Sequence, residues 1–265
     1  MSRGGAVVRQ TGVPILMYHQ VSAHCPEGYR KYVVTPDAFA RQMHWLRAMG
    51  FTAVTMDALR AARTGGPGVP RRAVVITFDD GYRDALRHAR EVLGSLRWPA
   101  TCYLVAGLVG RTSAWLTERG LSLPLAGWAE VRVLSTFGFE IGAHSLTHRR
   151  LAEVDEAACR HELQASRAVL EAALGQPVVH LAYPYGSTSA EVRRLAASAG
   201  YETACSVEPG VSDPAEDLLA LRRVPITGYD SLADFACRLH TGRTMRELVG
   251  GAVHRVAPGR VAGDV

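Results

Sequence analysis

Two stretches of the chain carry side chains that together could hold a divalent cation and act on a water molecule. The first is Val74-Val75-Ile76-Thr77-Phe78-Asp79-Asp80-Gly81, a β-branched apolar run that ends in two carboxylates and a glycine. It reads as a buried strand. Neighbouring side chains on a regular strand point to opposite faces, so Asp79 and Asp80 can share a site only where the strand has ended. Gly81 leaves the backbone free to turn there. Carboxylates placed so need a cation or hydrogen bonds to offset lost hydration. Taken alone, the pair reads equally well as a helix cap with a surface salt bridge. The second stretch is Phe139-Glu140-Ile141-Gly142-Ala143-His144-Ser145-Leu146-Thr147-His148, a short strand-like run followed by two histidines four apart. On a helical turn that spacing puts both imidazoles on one face, within reach of one ion. Asp80, His144 and His148 then form a one-carboxylate, two-histidine set with open coordination positions. Surface helices show such a histidine pair by chance; its coincidence with an Asp-Asp-Gly strand end is the stronger signal.

These residues need a scaffold that brings strand ends together. Short apolar runs at Pro14 to Tyr18, Phe51 to Thr55, 73 to 78, Ala100 to Val105, 139 to 143, Val178 to Ala182, 201 to 206 and 222 to 226 read as strands. Helical patterns at Pro36 to about Gly50, Arg83 to Leu93, Trp128 to Phe137, Val154 to Leu174, 189 to 199 and 231 to 239 alternate with them. Thr35-Pro36-Asp37 opens the first helix with a capping residue and a proline at the first position. Residues 20 to 34 and the Gly/Pro-rich 64 to 70 read as loops, and 107 to 126 as a long loop suited to a groove wall or lid. The alternation predicts a parallel α/β sheet covered by helices, with no repeat or linker to mark a second domain. His19, Asp79 with Asp80, His144, and Tyr183 to Tyr185 each lie just past the C-terminal end of an expected strand. In a parallel barrel those ends share one face.

The formal charge of +5 comes from scattered arginines with no basic block, which speaks against nucleic acid as a partner. It reads as solvated surface, an anionic glycan or membrane surface being the lesser alternative. The five cysteines are odd in number and form no CxxC pair, so neither a disulfide framework nor a structural zinc site is expected. Residues 1 to 12 lack a signal-peptide core, and no run approaches the ~20 apolar residues of a spanning helix. The expectation is a cytoplasmic protein, extracytoplasmic if the N-terminus is truncated, with a catalytic domain over 13–245 and flexible termini at 1–12 and 246–265.

Thr77-Phe78-Asp79-Asp80-Gly81, His144-Ser145-Leu146-Thr147-His148 and Tyr183-Pro184-Tyr185-Gly186, in that order, resemble the polysaccharide deacetylase superfamily, also called carbohydrate esterase family four. Ile15-Leu16-Met17-Tyr18-His19-Gln20-Val21-Ser22 resembles its poly-N-acetylglucosamine deacetylase branch, in which the motifs are circularly permuted. The resemblance covers roughly residues 13 to 230. It implies an irregular seven-stranded (β/α) barrel of the TIM type and removal of N-acetyl groups from a saccharide. The implied cofactor is a divalent metal on Asp80, His144 and His148, zinc first and cobalt or nickel as replacements. It implies Asp79 as general base, which also suits a carboxylate not spent on the metal, and Tyr185 as the residue whose backbone N–H helps hold the oxyanion. The proton donor is His19 by the branch resemblance and its strand-end position; Arg238-Leu239-His240 superficially resembles the histidine motif of unpermuted relatives. There is one departure. Many family members carry an arginine that orients the base four residues before the glycine, and this chain has Ala182. Arg223 is a candidate substitute, although a surface arginine is the preferred reading.

Trp115 and Tyr103 are candidate sugar-stacking groups by residue type alone. Trp128, His24, His44, His88, His161, His180 and His254 read as packing or surface residues. Three rivals remain: a non-hydrolytic carbohydrate-binding relative, an amidase of a small non-glycan metabolite, and a non-haem iron site built on the same ligand set.

Overall fold

Strand β5, Ala73–Phe78, is buried along its whole length, as a strand must be when helices cover the outside of a sheet and side chains fill its inside. The computed structural model describes residues 12–250 of the chain. Within them the chain runs β1 (Ile15–Tyr18), β2 (Gln20–Val21), β3 (Val33–Val34), α1 (Pro36–Ala48), β4 (Thr52–Val54), α2 (Met56–Arg63), β5, α3 (Arg83–Leu96), β6 (Ala100–Leu104), α4 (Trp128–Thr136) and β7 (Phe139–Ala143). It continues through α5 (Glu156–Leu174), β8 (His180–Ala182), α6 (Ala190–Ser198), β9 (Thr203–Pro209), β10 (Leu221–Pro225), α7 (Leu232–Thr241) and α8 (Met245–Gly250). The expected domain end at 245 coincides with the start of α8. His254, residues 1–11 of the expected flexible segment 1–12, and residues 251–265 of the C-terminal tail lie outside the described residues.

Strands β5 to β10 pair in parallel in chain order, and β1 joins both ends by pairing with β10 and with β5. The register on the closing side runs from Ile15 opposite Val75 to Tyr18 opposite Phe78. Seven strands therefore close into a barrel, as the resemblance implies. Strand β4 pairs with the first half of β5 only, and β6 with its second half. The apolar residues divide into a core under the helices, around Leu16, Ile76 and Phe78, and a smaller cluster including Ile15, Val75, Tyr103 and Ala182.

Three local features depart from the sequence reading. Residues 20–34 are not wholly loop, because β2 and β3 form a short parallel pair. Helix α2 follows β4 directly, capped by Thr55, whose side chain accepts from Ala58 N–H at 3.1 Å. Its short apolar signal rests on Met56 and Leu59. The segment 107–126 is tied down by the bridges Tyr82 to Leu125 and Thr112 to Pro124, with a 3₁₀ turn over Ala114–Arg119. All five cysteines are free thiols. No described helix is long and apolar enough to cross a membrane.

Candidate active site

The end of β5 is built to turn two neighbouring carboxylates into one site. Asp79 N–H still donates to Tyr18 O across the barrel seam, at 2.9 Å. Asp80 then takes φ +72°, and Gly81 N–H folds back to Asp79 O at 2.9 Å, closing a three-residue γ-turn. Gly81 follows at φ +81°, where a Cβ would stand 2.7 Å from Leu104 Cδ2. Five described residues other than glycine have positive φ, and four of them, Asp80, Ser145, His148 and Tyr185, belong to the three motifs. Such conformations cost on the order of 1–3 kcal/mol each and persist where the surroundings over-determine them, as at functional sites.

The two histidines do not sit on a helical turn. Strand β7 ends at Ala143, and residues 144–150 are irregular. His144 N–H continues the β6 ladder to Leu104 O at 2.7 Å, and His148 N–H is taken by Ser145 Oγ at 3.0 Å. The loop is clamped from α5 by buried Glu162, which accepts from Leu146 N–H and Thr147 N–H at 2.9 Å and from the Thr147 hydroxyl. No signal in the sequence singled out Glu162, because it lies inside a regular helical pattern. The clamp brings both imidazoles to Asp80: His144 Nε2 lies 3.3 Å and His148 Nε2 3.2 Å from the same Oδ1. Despite those distances Asp80 Oδ1 is buried without a hydrogen bond of acceptable geometry. Three donor atoms thus converge without satisfying one another, and a cation is what such a set lacks. His144 Nδ1 lies 2.7 Å from Ala182 O, a contact that fixes the proton on Nδ1 and leaves the Nε2 lone pair free to meet a cation. The residues fit a divalent metal. Burial alone would push the Asp80 carboxyl up; its contacts with His144 and His148 outweigh that and hold it well below the ordinary range.

Arg223 is not a surface residue. It is fully buried on β10, and its guanidinium crosses the barrel interior to Asp79. Nη1 donates to Oδ1 and Nη2 to Oδ2, each at 2.7 Å, while Nε donates to Ser206 O at 2.9 Å. The Tyr103 ring lies 5.8 Å from the guanidinium. Tyr103 is itself fully buried, with its hydroxyl 3.4 Å from Cys205 Sγ, so it cannot stack on a sugar. Burial raises the Asp79 carboxyl and Arg223 outweighs it, so the group stays ionised below its usual range. Arg223 thus meets Asp79, where an arginine in place of Ala182 is expected to act.

His19 and His240 part company. His240 is exposed in the last turn of α7, a helix packed on α1 through Phe235 and Trp45. His19 is half-buried just after β1, close enough for Asp80, Asp79, Arg223 and His144 all to act on its imidazole. Burial dominates and lowers its pKa from 6.5, with the two aspartates opposing. Tyr32 meets its ring edge-on at 5.2 Å. Tyr185, in the 3₁₀ turn Pro184–Gly186, lies 4.6 Å from the His148 ring, and Trp115 stacks on that ring at 4.2 Å. Trp128 packs against the core and His180 is buried at the opposite end of the barrel, 3.3 Å from Glu140.

The sequence profile of the polysaccharide deacetylase family matches residues 66–204, just over half the chain. The chain belongs to the polysaccharide deacetylase family. The profile leaves out His19, just after β1, and Arg223 on β10. The poly-β-1,6-N-acetyl-D-glucosamine N-deacetylase of Escherichia coli K12 is 25% identical over 262 residues, covering 87% of this chain and 39% of that protein. The chain thus spans well under half the length of this relative. The Staphylococcus aureus protein of the same name is 24% identical over 207 residues, covering 75% of this chain and 69% of its own. Among solved structures, a Streptococcus pyogenes deacetylase in complex with acetate superposes with a TM-score of 0.76 at 24% identity, over 87% of this chain and 99% of that one. A polysaccharide deacetylase from Bacillus cereus gives 0.73 at 26% identity, over 86% and 69%.

Proposed function

We propose that this polysaccharide deacetylase removes N-acetyl groups from a saccharide by metal-dependent hydrolysis, with Asp80, His144 and His148 as the ligands. The observation that carries this reading is the convergence of those three donors beside a second carboxylate, Asp79, that Arg223 holds ionised. A divalent metal bound there supplies a Lewis acid for the acetyl carbonyl and acidifies a water molecule. Asp79 takes the proton of the attacking water. Arg223 uses one acceptor site on each of its oxygens, and a carboxylate has about four. A carboxylate held below its ordinary pKa is too weak a base for ordinary water, so its role fits acidified water only. The Tyr185 backbone N–H supports the oxyanion, a kind of contact worth roughly 2.7–4 kcal/mol. His19 protonates the departing nitrogen as the C–N bond breaks, leaving a free amine and acetate. A purely binding relative has no use for a buried, oriented Asp79.

The test is acetate release from a panel of N-acetylated oligosaccharides and small amides, with and without chelator. Chelator should abolish release from the saccharides and added zinc should restore it. Release from small amides alone would move the enzyme to the metabolite-amidase reading. Asp80→Ala, His144→Ala and His148→Ala should each lower metal content together with rate, measured by elemental analysis of the purified variants.

His19→Ala should bind metal normally and lose roughly 10²-fold in kcat, whereas His240→Ala should stay within a few-fold of wild type. Because burial lowers the His19 pKa, its acid form is lost below the ordinary imidazole value of 6.5 as pH rises. The alkaline limb of kcat/KM against pH should therefore lie below 6.5 in wild type and disappear in His19→Ala. A limb unchanged by that substitution would give the proton to another group.

A further inference from the structure

The two histidines of the site hold their rings by different means. An imidazole lone pair lies in the ring plane, so a ligand histidine serves one ion only while that plane is held. A hydrogen bond on the other ring nitrogen is the usual device. His144 has it, through Nδ1 to Ala182 O at 2.7 Å. His148 does not: its Nδ1 is buried and has no acceptor among the described residues. It also sits at φ +67° in the irregular segment after β7, outside any ladder. Other rings hold it instead. Trp115 lies on its face, with centroids 4.2 Å apart and planes 23° from parallel. Tyr185 meets it at 4.6 Å and 69°, and His144 at 4.9 Å and 64°. Trp115 is itself braced. Its neighbour Leu116 is fully buried and donates its N–H to Ser113 O at 3.0 Å. Buried Ser113 donates its N–H to Leu123 O at 2.9 Å and accepts the Leu123 N–H on its hydroxyl at 3.0 Å. The same segment returns to the carboxylate turn, where Ala126 N–H donates to Gly81 O at 2.9 Å and the buried Tyr82 ring lies 6.2 Å from that of Trp115. Residues 107–126 therefore join the turn that carries Asp80 to the ring of His148.

We propose that Trp115 is a positioning residue for the metal site: its indole holds the His148 imidazole in the plane that aims Nε2 at the ion, the task a hydrogen bond performs at His144. This rests on the metal-dependent reading above and gives the indole a role other than sugar stacking. The residue type suits the task. Among aromatic faces that of tryptophan attracts a cation best, and an imidazole that shares the charge of a bound ion is drawn to it. The stack therefore strengthens as the ion binds. An aliphatic side chain fills the space but leaves the ring free to tilt.

The experiment measures the zinc affinity of the metal-stripped full chain by competition with a chromophoric chelator, in wild type, Trp115→Phe, Trp115→Leu and Trp45→Ala. The phenylalanine keeps an aromatic face, and the leucine fills the space without one. Trp45 packs edge-on against Phe235 in the helical layer, so its removal reports a general loss of packing. Losing an outer partner of a metal-ligating histidine typically costs about 10–100-fold in affinity. Trp115→Leu should weaken zinc binding by that factor, Trp115→Phe should stay within a few-fold of wild type, and Trp45→Ala should match wild type. Cobalt gives a second readout: the visible spectrum of Trp115→Leu should move towards that of His148→Ala and not towards that of His144→Ala. Wild-type zinc affinity in Trp115→Leu overturns the inference and leaves the metal site standing; a raised KM for an N-acetylated oligosaccharide in that same variant would then make the indole a sugar platform. An equal loss in Trp115→Phe and Trp115→Leu overturns stacking as the cause. A wild-type chain that binds no zinc overturns the metal-dependent reading, and the inference with it.

Discussion

Asp79→Asn should leave metal content unchanged and lower kcat by about 10²–10⁴-fold, the usual worth of a general base. The amide is nearly isosteric with the carboxylate but cannot accept the proton of the attacking water. The loss should fall on kcat and kcat/KM alike, because the proton moves only in the transition state. The pairing with Arg223 adds a second consequence. Both Asp79 oxygens accept from that guanidinium at 2.7 Å, and an amide offers one oxygen and one NH2. One Arg223 donor then faces another donor in a buried site, so the variant should also melt earlier than wild type. Rates are therefore to be compared well below its melting temperature. Wild-type kcat in Asp79→Asn would return this carboxylate to the role of a turn residue.

Arg223→Met should be the most destabilising single change in the site. Removing one partner of a buried ion pair costs about 3–5 kcal/mol, because the other charge is left without compensation. For a chain of this size that corresponds to a drop of roughly 10 °C in Tm. The pH dependence has a definite sign. In wild type the Asp79 pKa is depressed on folding, so the pair contributes stability above the unfolded carboxyl value and loses it as pH falls through the folded value. In the variant burial is no longer opposed by Arg223, leaving only the weaker pull of His144 and His19, and the folded pKa should rise above the unfolded one. The stability gap between wild type and variant should then be widest near neutral pH and should narrow as pH falls towards 4. Denaturant unfolding at a series of pH values measures this. Adding Asp79→Asn to Arg223→Met should recover part of the loss, since it removes the stranded charge. A gap independent of pH would mean that packing, and not the ion pair, sets the cost.

Much of the barrel was legible because each strand is an apolar run bounded by turns, and β5 and β7 match the expected bounds. Asp79, Asp80, His144 and His148 were legible because each pair lies together at a strand's end. What was not legible depends on contacts between distant parts of the chain. Arg223 meets Asp79 across 144 positions, and nothing in Leu221-Arg222-Arg223-Val224-Pro225 distinguishes the inward arginine from its exposed-type neighbour. Glu162 is similarly hidden: a glutamate in a 19-residue helix reads as solvated until the loop it clamps is placed beside it. Histidine spacing alone suggests a helical turn, yet the positive φ angles of Ser145 and His148 deliver the same two imidazoles to Asp80 by another path. Tyr103 was read by residue type and lies inside the barrel, whereas Trp115, read the same way, reaches the site.

The central claim is that hydrolysis depends on one metal ion held by Asp80, His144 and His148. Its most direct test is a zinc titration of metal-stripped protein, following acetate release from an N-acetylated oligosaccharide at each addition. Activity should rise from zero and break to a plateau at one zinc per chain in wild type, and stay flat in His144→Ala. Full acetate release from the stripped protein, before any zinc is added, would contradict the account.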